Sequence, residues 1–368
     1  MKRLIAFITL LVFLVPNANA AVIAKPMVQL AQVDSAATGL VAFGSQVLTF
    51  GNHEKSGFAQ LMNGPIVELT SGVESFVSAG AVDATGNFYL VGASSNPIVG
   101  TLPPISGVLN PDNVISDPVS SNKGDANNLI YWKLDNTGQL IDTQSMTMPA
   151  AVLPTSIIVD QYGITIAGTS WANPGNNGFV INWNSKPTYI GKNSTEVFNI
   201  VRDGSGVIAV GQSSEKLLTT TLKGKSDGFL AKVANEKLTS VQRSSEANTN
   251  RAWRTTSSNL LVGGYVNSQA VITKFNAKIT PIFTDRYLSN GSAYTAAVGK
   301  FNYGAFVSLG AVKALPTWKT KKAILVLTFD AKGVITSANY VNSAQISGFA
   351  ATSALGPIVL ASGFLYRA

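Results

Sequence analysis

Apolar and polar positions alternate along the chain in short runs, and the runs recur as one phrase. An apolar strand leads into a turn carrying Gly or Asn, and a second apolar strand follows that ends in Gly. The phrase reads Val82-Asp83-Ala84-Thr85-Gly86-Asn87-Phe88-Tyr89-Leu90-Val91-Gly92. It returns as Val159-Asp160-Gln161-Tyr162-Gly163-Ile164-Thr165-Ile166-Ala167-Gly168, and again as Arg202-Asp203-Gly204-Ser205-Gly206-Val207-Ile208-Ala209-Val210-Gly211. Looser copies at 43–51, 256–264, 299–310 and 353–361 make seven. Short apolar runs bounded by such turns read as strands, and no run sustains the 3.6-residue period of a helix.

Most copies are followed by a second pair of strands. Third strands are expected at 58–61, 129–134, 229–233, 270–275 and 324–329, running into turns such as Asp135-Asn136-Thr137-Gly138 and Asp330-Ala331-Lys332-Gly333. Four short strands in every ~45 residues are the signature of a propeller blade. The expected fold is all-β, a β-propeller of seven four-stranded blades, occupying 21–368 as one domain. The last copy stops after its third strand, in Gly363-Phe364-Leu365-Tyr366-Arg367-Ala368, while strand-like residues 25–33 lack a partner. Pairing the two, with the N-terminal strand as the outer strand of the last blade, closes the ring and removes an open sheet edge.

Two stretches, Asp83…Gly86-Asn87…Tyr89…Gly92 and Asp227-Gly228-Phe229-Leu230-Ala231-Lys232-Val233, resemble the repeat of secreted bacterial seven-bladed β-propeller proteins. In that family an Asp-x-x-Gly-Asn turn precedes a Tyr-bearing strand, and an Asp-x-Phe-x-x-Lys strand follows. The resemblance covers nearly all of 21–368 and is sharpest in blades two to four. It implies the fold and an extracellular setting, and no shared catalytic residues.

Composition agrees with many tight turns: 46% of residues are apolar, only 12% are charged, and there are 33 glycines. Residues 1–20 read as an export signal: a basic start at Lys2 and Arg3, an apolar stretch from Leu4 to Val15, and Ala18-Asn19-Ala20 as a small-residue cleavage motif. The stretch is short for a membrane span, which needs roughly 20 residues, and no second apolar run is long enough. A chain cleaved near Ala20 and released outside a bacterial cell is the expectation. Cys is absent, which excludes disulfides, thiolate metal sites and lipid attachment. The positive balance left after residue 20 is modest and scattered along the sequence, enough for weak attraction to anionic polymers.

Candidate chemistry is sparse. Asp83, Asp135, Asp160, Asp203 and Asp330 each stand three positions before a Gly, where Asp bonds the turn backbone and Gly takes the positive φ. His53 is the sole histidine, in a polar loop, so a three-His zinc site is excluded. No nucleophile elbow, phosphate loop or EF-hand string is present. Asp112, Asp117 and Asp125 in the 94–127 insertion match no standard calcium loop. No metal, cofactor or catalytic set is assigned.

Loop lengths say more. In a four-stranded blade the one–two and three–four turns lie on one face of the disc, and the two–three and four–one connections on the other. The variable two–three connections are read at 94–127, 170–178, 213–227 and 311–323, all on one face, and long loops on a rigid scaffold are where function concentrates. They carry Trp171, then Trp318 with Lys319, Lys321 and Lys322, and also Lys223 and Lys225. Trp suits sugar stacking, and Trp with Lys suits an anionic surface. Arg251, Trp253 and Arg254 start an inner strand and are expected to line the channel near that face. Trp132 and Trp183 are assigned to the core. The function that follows is a secreted binding or adhesion module for a cell-surface glycan, an anionic polymer or a protein, not a nucleic acid. One alternative is a polysaccharide lyase or hydrolase, marked by two acids or a Tyr–Arg pair at the channel mouth. The other is a structural surface module.

Overall fold

Each phrase folds into an antiparallel meander whose strands succeed one another from axis to rim. In blade four these are Thr195–Asp203, Gly206–Ser213, Asp227–Ala234 and Lys237–Ser244. The computed structural model describes residues 21–69, 74–95, 126–172, 175–319 and 322–368, and among them every regular element is a strand. The export signal, Lys321 and the acids Asp112, Asp117 and Asp125 lie outside the described residues. Seven sheets form in sequence order, each inner strand packing on the next, and the inner strand of blade seven packs on that of blade one. The architecture is a seven-bladed β-propeller, as the repeat implies.

Closure differs in detail from the expectation. Residues 25–33 are not one strand but part of two. Val28–Gln32 pairs antiparallel with Phe364–Arg367 and completes blade seven. Ala24–Pro26 instead pairs parallel with Ile335–Val341 and gives blade six a fifth, outermost strand. The N-terminal segment therefore stitches two neighbouring blades.

The recurring Gly at the end of the phrase has a steric cause. In blades one to five the inner strand bulges by one residue: Thr38, Ser78, Thr155, Phe198 and Arg254 are each skipped by the pairing register. The bulge presses an inner-strand carbonyl against the second strand, opposite Gly51, Gly92, Gly168, Gly211 and Gly264. A Cβ at Gly92 would lie 1.7 Å from the Phe76 carbonyl oxygen, and one at Gly211 would lie 2.0 Å from that of Glu196. The inner strands of blades six and seven pair without a shift, and no glycine there is held against an inner-strand carbonyl. Bulge and glycine come together.

Two of the bulged side chains lace the ring. The Ser78 hydroxyl donates to the Pro154 carbonyl of blade three (2.5 Å), and the Thr155 hydroxyl donates to the Val197 carbonyl of blade four (2.8 Å). Apolar wedges fill the space between blades, with Trp132, Phe88 and Leu90 fully buried between blades one and two. Trp183 is only half-buried: it follows the third strand, Gly175–Asn182, and meets the Tyr131 ring edge-on at 4.7 Å.

Four of the five turn aspartates cap their turns. Asp83 accepts N–H bonds from Thr85 and Asn87, Asp135 from Thr137 and Gln139, Asp330 from Lys332 and Val334, and Asp160 from Tyr162. The exception is Asp203, whose carboxylate pairs with Lys232 at 2.7 Å while Gly204, not Gly206, takes the positive φ. Asn276 does the same work as the aspartates in blade five, accepting from Lys278 and Thr280.

Gly211→Ala places its methyl on a backbone carbonyl and should cost about 2 kcal/mol or more in urea unfolding. Gly163→Ala, with positive φ but open space, should cost about 1 kcal/mol. At Asp83 partial burial raises the pKa, but the Thr85 and Asn87 hydrogen bonds outweigh it and hold the group at about 2, below its ordinary 3.8. Its contribution is thus present above about pH 4 and lost as pH falls through about 2. The stability difference between wild type and Asp83→Asn, measured at steps from pH 5 to pH 2, should shrink across that window.

Candidate functional site

Strand direction alternates within each blade, so the two–three and four–one connections share a face. The structure shortens one of the loops expected there. In blade three the strands Gly163–Ala172 and Gly175–Asn182 pair up to Ala172 and Gly175, leaving two residues between them. Trp171 thus stands on a strand, 48% exposed, paired with Ala151 and Asn176. Long connections remain at 95–127, 214–226 and 309–322.

Three of the residues assigned to binding are core residues. Trp318 is 7% exposed; its indole N–H donates to Ser308 Oγ (3.1 Å) and its ring packs by Tyr340 and Leu315. A loop of that length is held down by an anchor of its own, and Trp318 is it. Arg251 and Trp253 are 8% and 1% exposed. Both turn into the wedge between blades, where Arg251 reaches Glu246 at 3.4 Å and Trp253 packs with Phe275. Of the inner-strand trio, only the bulged Arg254 faces the axis. Lys319 and Lys322 are exposed as expected.

The 214–226 loop is braced by acids that sequence reading passed over. Glu215 Oε1 accepts the N–H groups of Lys192, Asn193 and Ser194 (2.8, 3.0 and 2.9 Å) and the Thr195 hydroxyl (2.8 Å), fastening one loop to the next. Burial raises the Glu215 pKa, but those donors outweigh it and the net shift is downward. Fully buried Asp227 accepts from Lys223 N–H, Gly224 N–H and the Ser245 hydroxyl, and lies 3.5 Å from Arg243. Arg243 also donates to the Ser213 and Glu215 carbonyls. Nothing in a lone Glu after Ser-Ser announces this role; the partners are about twenty residues upstream.

These braces leave the lysines free. Lys192, then Lys216, Lys223 and Lys225, then Lys313, Lys319 and Lys322 are exposed on this face across blades four to six, and none pairs with a described carboxylate. The acids nearby are engaged: Glu215 and Asp227 as above, and Glu246 by Arg251 and by Arg286 (2.7 Å). The five turn aspartates lie on the opposite face. Lysines are exposed in the turns of the opposite face too, at Lys186, Lys237, Lys278, Lys300 and Lys332, but there they stand among the turn aspartates.

On the axis side, a cavity of about 530 Å³ is lined by inner strands of blades two to six, including Ser78, Thr155, Phe198, Arg254 and Tyr294, with Ser292 contributed from the long-loop face. The Arg254 guanidinium stacks 3.6 Å from the Phe198 ring and lies 5.8 Å from that of Tyr265. A chain of hydrogen bonds runs beside it: the Tyr265 hydroxyl donates to Gln212 Oε1 (3.3 Å), and Gln212 Nε2 donates to Glu196 Oε2 (2.8 Å). Glu196 Oε1 accepts from Asn176 (3.3 Å). His53 offers no comparable chemistry. Its ring nitrogens face Glu68 (3.1 Å) and Asp34 (3.5 Å), and its ring stacks on Phe58, so neither nitrogen addresses a hydroxyl nucleophile.

No family model and no curated protein matches the chain. Solved structures do. It is similar to a streptogramin B lyase, with a TM-score of 0.54 and 9% identity over 93% of this chain and 95% of that one. It is similar to BBS1N, solved in complex with ARL6DN, with a TM-score of 0.53 and 7% identity over 94% and 96%. The WD40 domain of Toxoplasma gondii coronin gives 0.51 and 10% over 93% and 83%. At such identity the likeness is one of fold.

Glu215→Ala removes the acceptor that joins two loops and should cost about 1 kcal/mol, because the freed amides can reach water. Hydrogen exchange should show faster amides at 192–195 and in 214–226, with blade-core amides unchanged.

Proposed function

We propose that this chain is an exported binding module that captures an anionic extracellular polymer on the face bearing the long loops of blades four to six. Export rests on the signal-like residues 1–20. The observation that carries the rest is the set of unpaired exposed lysines held on one face by braced loops, with the turn aspartates on the other. Fixed, same-sign charge on a rigid surface attracts a polyanion at long range. The exposed Trp171 ring on the neighbouring blade offers a platform for a sugar ring.

A lyase is the second reading, because Arg254 and Tyr294 both line the channel cavity. The chemistry runs against it. Burial raises the Tyr294 pKa and the Arg254 charge only partly opposes that, whereas a tyrosine acting as base needs a lowered value. Among the described residues no acid lines the cavity to serve as its partner.

The test is binding to polygalacturonate, neutral dextran and duplex DNA, with wild type and with Lys223→Glu/Lys225→Glu/Lys319→Glu/Lys322→Glu. Polygalacturonate should bind at low salt, weaken at least about tenfold in the variant, and weaken again as salt shortens the screening length. Trp171→Ala should give a smaller loss. Unchanged binding in the variant, or preference for dextran, overturns the reading; preference for DNA replaces the polymer class. Concentration-dependent light scattering without ligand would favour a self-associating surface module instead.

A further inference from the structure

The channel cavity holds a feature that the lysine face does not explain. Arg254 is half-buried, stacked flat on Phe198, and has no carboxylate within ion-pair distance among the described residues. Glu196 closes the hydrogen-bond chain that begins at Tyr265 beside it, and both its oxygens are taken by Gln212 and Asn176. A cation withdrawn from water without a counter-charge is costly, and inner-strand geometry alone does not call for one: the bulged position is Thr38, Ser78 or Thr155 elsewhere. The bulge in blade five instead carries a guanidinium to the axis, and the bulge in blade four carries the ring that supports it.

We infer that this cavity is a binding site for a single carboxylate, recognised by Arg254. Stacking on Phe198 occupies the face of the guanidinium and leaves its N–H edges free, the geometry for bidentate contact with a planar carboxylate. One cation and, among the described residues, no second positive group along the lining fits a monoanion and disfavours a phosphate dianion. The walls agree: Ser292 offers a hydroxyl, the Thr155 and Thr255 oxygens can still accept, and the Tyr294 and Phe198 rings border an open space of about 530 Å³. That volume suits one sugar acid or a small organic acid. The carboxylate can come from a free small acid or from the terminal uronate of the polymer proposed above; only the second source rests on that proposal.

The experiment follows the Arg254 Nε–Hε resonance by NMR during titration with acetate, galacturonate and glucose. Galacturonate should move it saturably in the millimolar range, and glucose should not. Acetate acting as strongly as galacturonate assigns a free small acid; galacturonate acting alone assigns a sugar acid. Arg254→Lys keeps the charge without the fork and should weaken galacturonate, followed by side-chain resonances of Tyr294, at least about tenfold. Arg254→Gln should abolish the response, with a thermal melt confirming the fold. The fourfold lysine variant should retain galacturonate binding while losing the polymer, so the two proposals fail separately. Equal shifts with glucose, or galacturonate binding undiminished in both Arg254 variants, overturns the site.

Discussion

The close approach of a bulged inner strand to the second strand is the constraint on which this propeller is built. Five blades meet it with a glycine that has no room for a Cβ. The extra residue in each bulge is freed from the ladder, and its side chain is turned toward the axis or the neighbouring blade. Ser78 and Thr155 use that freedom to bind blades together; Phe198 and Arg254 use it to furnish the channel. Blade cohesion and channel chemistry are two uses of one backbone device.

The surface layer obeys a different rule. Its loops are held by carboxylates rather than by apolar packing alone: Glu215 across two connections, Asp227 with Arg243 beneath a third strand. Each carboxylate is consumed by backbone N–H groups or a guanidinium, so the loops keep their shape while the lysines stay unpaired. The 309–322 loop relies on Trp318 instead. The lysines of blades four to six stay unpaired because the described acids beside them are spent on structure.

Much of the fold was legible because strand, turn and glycine recur at fixed offsets. The strand phrases and four of the five aspartate caps appear as read, and the chain ends meet in blade seven, though through Val28–Gln32 alone. What failed depends on direction rather than type. Trp318 looked like a loop aromatic, yet a long loop buries its largest apolar ring. Arg251 and Trp253 share a strand with Arg254, but alternation sends the first two into the wedge and the bulge redirects the third. Sequence gives no sign of which residue a register shift will expel. Blade three was misjudged because Gly178 resembled a strand start, when the pairing runs on to Gly175. Glu215 was invisible because its partners are backbone amides of another loop.

The strand Val28–Gln32 reaches its partner, Phe364–Arg367, across almost the whole chain. Loop-closure entropy makes such a contact late and slow. Until Phe364–Arg367 is in place, the early segment and the rim of blade seven are both unpaired sheet edges. Ala24–Pro26 shortens that exposure for its own part, because Pro26 cannot donate to a stray strand. The molecule thus has a vulnerable interval before Phe364–Arg367 settles, and a chain lacking that strand would remain a broken circle with an adhesive rim.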